Sequence, residues 1–93
     1  MYARIATFQG DPAHIEDAVA DVRRKVDSDA KPAALEDAKM LMLVDRKTGK
    51  GCGITLFESE EAMRRGDEAL NAMPAGEGSR VSVEFFEVPV HRL

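Results

Sequence analysis

The sequence has one cysteine, no tryptophan and two histidines. A single cysteine excludes an internal disulfide framework and is typical of a reducing compartment, so we expect a cytoplasmic protein. His14 and His91 stand far apart, without acidic residues at ligand spacing, so no metal site is predicted. His14 is expected on the surface of a helix and His91 in a solvated tail.

Long apolar runs and clusters of positive charge are also missing. No run approaches the roughly 20 residues that a membrane helix needs, and MYARIATFQ lacks the longer apolar segment of a signal peptide. The net charge is -4, and no basic cluster is longer than Arg23-Arg24-Lys25. Binding to nucleic acid or to a membrane is therefore not expected.

The 93 residues are enough for one domain, residues 1–93. A chain of this size buries only about 60–65% of the surface that it exposes when unfolded. Its core is therefore small, and association with a second chain would add stability.

Four strands and two helices are predicted from periodicity and turn signals. Asp11 and Pro12 are suited to begin the first helix, and Ser59 is suited to cap the second. Gly49 is the natural left-handed position of a tight turn. The predicted strands are Tyr2–Gln9, Lys39–Val44, about Cys52–Glu58 and Arg80–Val90. The helical stripes are Ile15, Val19, Val22 and Val26, then Met63, Gly66, Leu70 and Met73. A short turn at Ala33–Leu35 and a helix end at Pro74–Gly78 complete the expected elements.

The order β-α-β-β-α-β predicts an α+β fold of the ferredoxin-like type. An antiparallel four-stranded sheet would carry both helices on one face, with the first and third strands in its centre. The set expected to face the helices is Ile5, Ile54, Leu56, Val81, Val83 and Phe85. The set expected on the other face is Arg4, Ala6, Phe8, Thr55, Phe57, Ser82, Glu84 and Phe86. The reverse assignment stays open.

The segment Lys39–Glu58 has too much apolar surface for a single chain. Met40–Val44 has no polar residue on either parity, although successive side chains of a strand point to opposite faces. Both faces must then be covered, and two helices cover only one of them. The sequence therefore predicts a homodimer in which two chains pack sheet to sheet.

The string LMLVDRKTGKGCGITLFESEEAM resembles a segment of the dimeric α/β-barrel superfamily, specifically its small antibiotic-biosynthesis-monooxygenase-like proteins. MYARIATFQGDP and SVEFFEV are similar to the same group. The resemblance implies two ferredoxin-like protomers that pair their sheets around a central space. That space holds an aromatic or quinone-like compound in some members, haem in others and no known ligand in others, and many members have no assigned role. Phe57 stands where many relatives have tryptophan, so the aromatic–Asn–His constellation of the haem-degrading branch does not carry over. No cofactor is expected.

The expected function is a cofactor-independent monooxygenase-like or isomerase-like activity on a small aromatic or polyketide-like compound. The alternative is a non-catalytic dimer that binds a small ligand or a protein partner. The expectation of an enzyme is analogy, because a fold hosts many functions.

Arg4 and Glu84 are the candidate catalytic pair, since both have the parity expected for the face away from the helices. Arg4 would orient a phenolate or carboxylate, and Glu84 would accept a proton. A structural ion pair or a contact between subunits is the alternative. Thr55, Phe57 and Phe86 would line the same space with Arg4, because aromatic walls suit a flat ligand. They would otherwise be core or interface residues. Cys52, without a paired histidine, is expected to be a small apolar residue.

Overall fold

The computed structural model describes residues 1–27, 32–72 and 79–93, which form an α+β fold. The strands are β1 (Tyr2–Gln9), β2 (Lys39–Val44), β3 (Lys50–Phe57) and β4 (Ser79–Glu87). The helices are α1 (Ile15–Asp27) and α2 (Glu60–Ala72), and short 3-10 turns lie at Pro12–His14 and Ala33–Leu35. The predicted order is confirmed, although β4 ends at Glu87 rather than Val90. The predicted helix end at Pro74–Gly78 and the last residue of the second stripe, Met73, lie outside the described residues.

Local capping chemistry begins both helical segments. The Asp11 carboxylate accepts a hydrogen bond from the Ala13 backbone N–H at 2.9 Å, and Pro12 follows at the first position of the turn. The Ser59 hydroxyl oxygen accepts from the Ala62 N–H at 3.1 Å. Each cap satisfies a backbone donor that the first turn leaves without a partner, so both predicted helix starts are confirmed.

The strands form one antiparallel sheet in the order β2-β3-β1-β4. Ile5 of β1 pairs with Ile54 of β3 on one side and with Glu84 of β4 on the other. The predicted central position of β1 and β3 is therefore confirmed. Together with two helices, this sheet is compatible with the ferredoxin-like fold.

The predicted faces of β1 and β3 are wrong. Arg4 of β1 hydrogen-bonds to α2, and Phe57 of β3 packs against Met63 of α2, so these residues face the helices. Ile5 and Ile54, which have the opposite parity, lie on the other face. Cross-strand partners share a face, so Val83 and Phe85 of β4 face the helices as predicted, since they pair with Ala6 and Arg4. Val81, the third β4 residue of the predicted set, falls at a register shift and has no cross-strand partner in β1. The error arose because the most apolar parity of the central strands does not face the helices.

The face without helices, here called the open face, is mostly apolar. Phe86 is 46% exposed and Leu43 is 50% exposed on it. By register the open face comprises Ala3, Ile5, Thr7, Lys39, Leu41, Leu43, Cys52, Ile54, Leu56, Ser82, Glu84 and Phe86. Within the described ranges, no helix is long and apolar enough to cross a membrane.

The two helices cover their side of the sheet unequally. α2 contributes Met63 to a buried cluster with Leu35 and Phe57. Of the predicted α1 stripe, Ile15 is the buried member, whereas Val22 and Val26 are half-buried. α1 therefore stands off from the sheet, and the space beneath it forms the cavity described below.

Candidate functional site

A cavity of about 970 Å³, partly open to solvent, lies between the helices and the sheet. Its apolar wall combines side chains from α1 with side chains from β2: Ile15, Val22, Val26, Met40, Met42 and Val44. Arg4 and Thr55 lie on the central strands that form its floor. A largely apolar enclosure with a few polar groups is the usual composition of a small-molecule site.

Arg4 is held in place by α2. Its side chain extends from the centre of the sheet and is buried, with the whole residue 4% exposed. Nε donates to the Asp67 carboxylate at 2.6 Å, and Nη2 donates to the Asn71 amide oxygen at 3.1 Å. The Asn71 oxygen also accepts from Nη1 of Arg80 at 2.8 Å. The pairing with Asp67 offsets the cost of burying the charge, and the guanidinium is fixed in one orientation.

Thr55 is the cross-strand neighbour of Arg4 and shares its face. The residue is 3% exposed and lines the cavity. Its hydroxyl has no hydrogen-bond partner among the described residues. The oxygen is not completely buried, and since Thr55 lines the cavity, the hydroxyl is accessible from it. Gly53, two residues earlier in β3, leaves further space, since a Cβ there would meet nothing within 4 Å.

Charged groups from the second half of α1 also line the cavity. Lys25 donates to the Asp21 carboxylate across 3.1 Å, and this hydrogen bond holds the pKa of Asp21 below its usual range. Asp21 also accepts from Arg24. His14, which is exposed as predicted, lines the cavity near the start of α1, with its Nδ1 3.9 Å from the Asp17 carboxylate. These charged groups are paired with one another along the helix.

The structure separates the predicted catalytic pair. Arg4 faces the helices, whereas Glu84 is exposed on the open face, where it pairs with Ile5. The two side chains project from opposite sides of the sheet, so within one protomer they cannot act on the same bound molecule. The pairing failed because it depended on the assignment of faces, and that assignment is reversed for β1.

The four predicted ligand-binding residues divide in the same way. Arg4 and Thr55 meet at one cavity, although it lies under the helices rather than between two sheets. Phe57 belongs to the buried cluster with Met63. Phe86 lies on the open face.

Sequence reasoning missed the partners of Arg4. Asp67 and Asn71 are four residues apart, so they occupy one face of α2 and meet the same guanidinium. They follow Met63 at intervals of four residues along the same side of the helix, where Asp67 is half-buried and Asn71 is exposed. The signal in the sequence was a carboxylate and an amide four residues apart, next to the apolar stripe of α2. Such a pair of acceptors indicates a buried donor group, and the structure shows that this group is Arg4.

The remaining candidates stand apart from the cavity floor. Cys52 is half-buried on the open face, with its Sγ 3.7 Å from the Thr7 hydroxyl oxygen. His91 is exposed in the tail after β4, in agreement with its predicted position. Among the residues that the structure describes, no group of three or more His, Cys, Asp or Glu could hold a metal ion.

No family model matches this sequence, and no curated protein does either. The resemblance carried by the segment around Lys39–Glu58 therefore stays a prediction, and function is argued from the geometry of the cavity.

Proposed function

We propose that this protein binds a small, mainly apolar molecule in the cavity between its helices and its sheet. The observation that carries the proposal is a fixed, buried cation on the floor of an apolar enclosure. The Arg4–Asp67 pair is expected to add little to the stability of the fold, because replacing a buried ion pair by apolar side chains is often neutral or stabilising. A charged group at such a position is more easily explained by what it binds.

The size of the cavity supports the same function. About 970 Å³ is at the upper end of the roughly 300–1,000 Å³ that small-molecule sites occupy. Met40 and Met42 supply flexible, polarisable side chains that adapt to the shape of a ligand. Val22 and Val26 of α1 would gain burial when the space beneath them is filled.

The proposal is tested with N-phenylnaphthylamine, a neutral aromatic dye that fluoresces in apolar surroundings. Gly53→Leu places a side chain into the cavity and should abolish the enhancement of fluorescence. Lys50→Leu adds the same side chain to the same strand outside the cavity lining and should leave the enhancement intact. Equal dye binding by wild type and Gly53→Leu would place the dye elsewhere and refute the proposal.

We further propose that two copies pair through their open faces to form a homodimer. An eight-residue strand and four strands span about 26 Å by about 19 Å, a projected area of roughly 500 Å². A standard interface buries roughly 800 Å² of accessible surface per partner, and the accessible area of a corrugated sheet face exceeds its projected area. The face is also self-complementary in a two-fold arrangement, since apolar strands would meet apolar strands.

Adjacent residues of β2 provide a matched test of the dimer. Leu41 is 48% exposed on the open face, and Met42 is 37% exposed on the helix side. Leu41→Lys should shift the protein to a monomer in analytical ultracentrifugation, because a charge would be buried in the interface. Met42→Lys should leave the dimer intact. A wild-type monomer at micromolar concentration would contradict the proposal.

The catalytic form of the proposal is a cofactor-independent monooxygenase-like or isomerase-like reaction on an aromatic compound. The observation that favours it is the orientation of Arg4, since a fixed guanidinium stabilises the oxyanion of a phenolate or enolate. Oxygen uptake with a panel of hydroquinones tests the monooxygenase form. We expect turnover by wild type and its loss in Arg4→Ala. If wild type binds the aromatic dye but consumes no oxygen with any hydroquinone, the non-catalytic alternative is favoured.

A further inference from the structure

We infer that the ligand of this cavity is a monoanion, a carboxylate or phenolate on an apolar body, whose charged oxygen binds between Arg4 and Thr55. The inference rests on the proposed ligand-binding function and names the chemical class of the ligand. It follows from donors that the protein leaves unused at one point of the cavity.

The first observation is the incomplete hydrogen bonding of the Arg4 side chain. A guanidinium carries five N–H donors in a planar fork. In the described part of the chain, Arg4 uses Nε for Asp67 and Nη2 for Asn71, which accounts for two of the five. None of its nitrogens is both sealed from the cavity and without a partner. Nη1, which has no partner within the described ranges, is therefore not sealed, and because Arg4 lines the cavity, an oxygen acceptor there can reach the Nη1 donors.

The second observation is the hydroxyl of Thr55 beside this guanidinium. Register pairs the two residues directly across β1 and β3, so their Cβ atoms are about 4.5–5.5 Å apart. The Thr55 hydroxyl is available to donate to a bound ligand, because it has no partner among the described residues. Two donors on neighbouring strands that line the same cavity, one of them charged, match an anionic oxygen better than an apolar group.

The third observation is the charge balance of the Arg4 cluster. Arg4 and Arg80 each contribute one positive charge, Asp67 contributes one negative charge, and Asn71 is neutral. Among the described residues that form this hydrogen-bonded cluster, one unit of positive charge is left over. A ligand with one negative charge would balance it, whereas a dianion would carry one negative charge that this cluster does not balance.

Naphthoate and naphthamide substituted at the same ring position provide the test, because they share a shape and differ in charge. Titration calorimetry at fixed salt should show that wild type binds naphthoate at least about ten-fold more tightly, as expected when a charge-assisted hydrogen bond replaces a neutral one. Equal affinities would overturn the inference and leave the ligand-binding function standing. Failure of both probes to bind would overturn the ligand-binding function itself.

Two variants and one control locate the anion without disturbing the Arg4–Asp67 pair. Thr55→Val removes a buried hydroxyl while keeping the shape, and it should weaken naphthoate about ten-fold. Thr7→Val makes the same change on the open face and should leave the affinity unchanged. Arg80→Gln, at an exposed position, should weaken naphthoate several-fold and leave naphthamide unaffected. Unchanged naphthoate binding in Thr55→Val would overturn the assigned position.

Discussion

Gly66 of α2 is expected to be intolerant of the smallest possible side chain. It lies in the middle of the helix, is buried, and faces the ring of Phe57 in β3. A Cβ on Gly66 would lie 2.2 Å from Cε1 and 2.3 Å from Cζ of that ring. Carbon atoms in favourable contact are about 3.5–4.0 Å apart. Phe57 is 4% exposed and packed against Met63, so the ring has little room to move.

Two opposing effects set the magnitude of Gly66→Ala. Replacing glycine by alanine inside a helix stabilises it by about 1 kcal/mol. Overpacking a well-filled core costs about 1–3 kcal/mol, and the short separations to Phe57 place this substitution at the upper end. The net expectation is a loss of about 1–2 kcal/mol of unfolding free energy. For a domain of this size, each kcal/mol lowers Tm by about 4–8 °C.

The sign of the effect should reverse when the ring is removed. In a Phe57→Leu background the obstructing atoms are absent, so Gly66→Ala should stabilise the protein by up to about 1 kcal/mol through helix propensity. The double-mutant cycle would then give a coupling energy of about 2–3 kcal/mol, within the range seen for residues in contact. No single structural change other than relief of the Gly66–Phe57 overlap predicts such a reversal.

The assay is chemical denaturation at one fixed protein concentration, because association would make the apparent stability concentration-dependent. Gly53→Ala is the matched control, since a Cβ at Gly53 meets nothing within 4 Å. It should change stability by no more than about 0.5 kcal/mol. Overlap between residue 66 and the Phe57 ring is refuted as the cause if Gly66→Ala stabilises the wild-type protein, or if it destabilises both backgrounds equally.

Three further substitutions test the turns and caps. Gly49 has φ of +81°, and a Cβ there would lie 2.2 Å from the Gly10 carbonyl oxygen, so Gly49→Ala should cost about 1–3 kcal/mol from the backbone alone; unchanged thermal stability would contradict this. Ser59→Ala removes the cap on the Ala62 N–H and should cost about 1 kcal/mol by denaturation, with Ser59→Asp retaining most of it. Hydrogen bonds from backbone N–H groups, chiefly that of Lys47, lower the pKa of the Asp45 carboxyl. The stability that Asp45 contributes is therefore present above the ordinary carboxyl pKa and is lost as the pH falls through the lowered pKa. In Asp45→Ala the unfolding free energy should therefore fall less steeply as the pH is lowered through the acidic range. The same pH dependence in wild type and Asp45→Ala would exclude this role.

Those turns and caps were predictable from the sequence because their causes are local. Asp11 and Ser59 each bond to a backbone N–H within three residues, and Gly49 adopts its positive φ within a five-residue loop. Short-range chemistry of this kind also gave the element order, and right-handed crossovers then gave the strand order. The fold was therefore accessible without knowledge of any long-range contact.

The cavity was not accessible in the same way. Arg4 is buried because Asp67, 63 residues later, pairs with it, and no pattern around Arg4 reveals that partner. The spacing of polar residues on α2 hinted at a buried cation without identifying which one. The space under α1 was also hidden, since the stripe that includes Val22 and Val26 predicts close packing on a sheet. Only the three-dimensional arrangement places that helix away from the strands.

The error in the sheet faces strengthens the case for a second subunit. An isolated sheet-and-helix domain is expected to direct its most apolar strand parity toward its own helices. Here the central strands direct Ile5, Ile54 and Leu56 away from them, and direct Arg4 and Gly53 toward them. The better hydrophobic surface thus lies on the side that the chain does not cover. A second copy would cover this apolar side. The helix side, which is less apolar and carries Arg4 and Thr55, would then be free to form a ligand cavity. The proposed dimer and the proposed site therefore both follow from how the strands distribute apolar and polar residues between the two faces of the sheet.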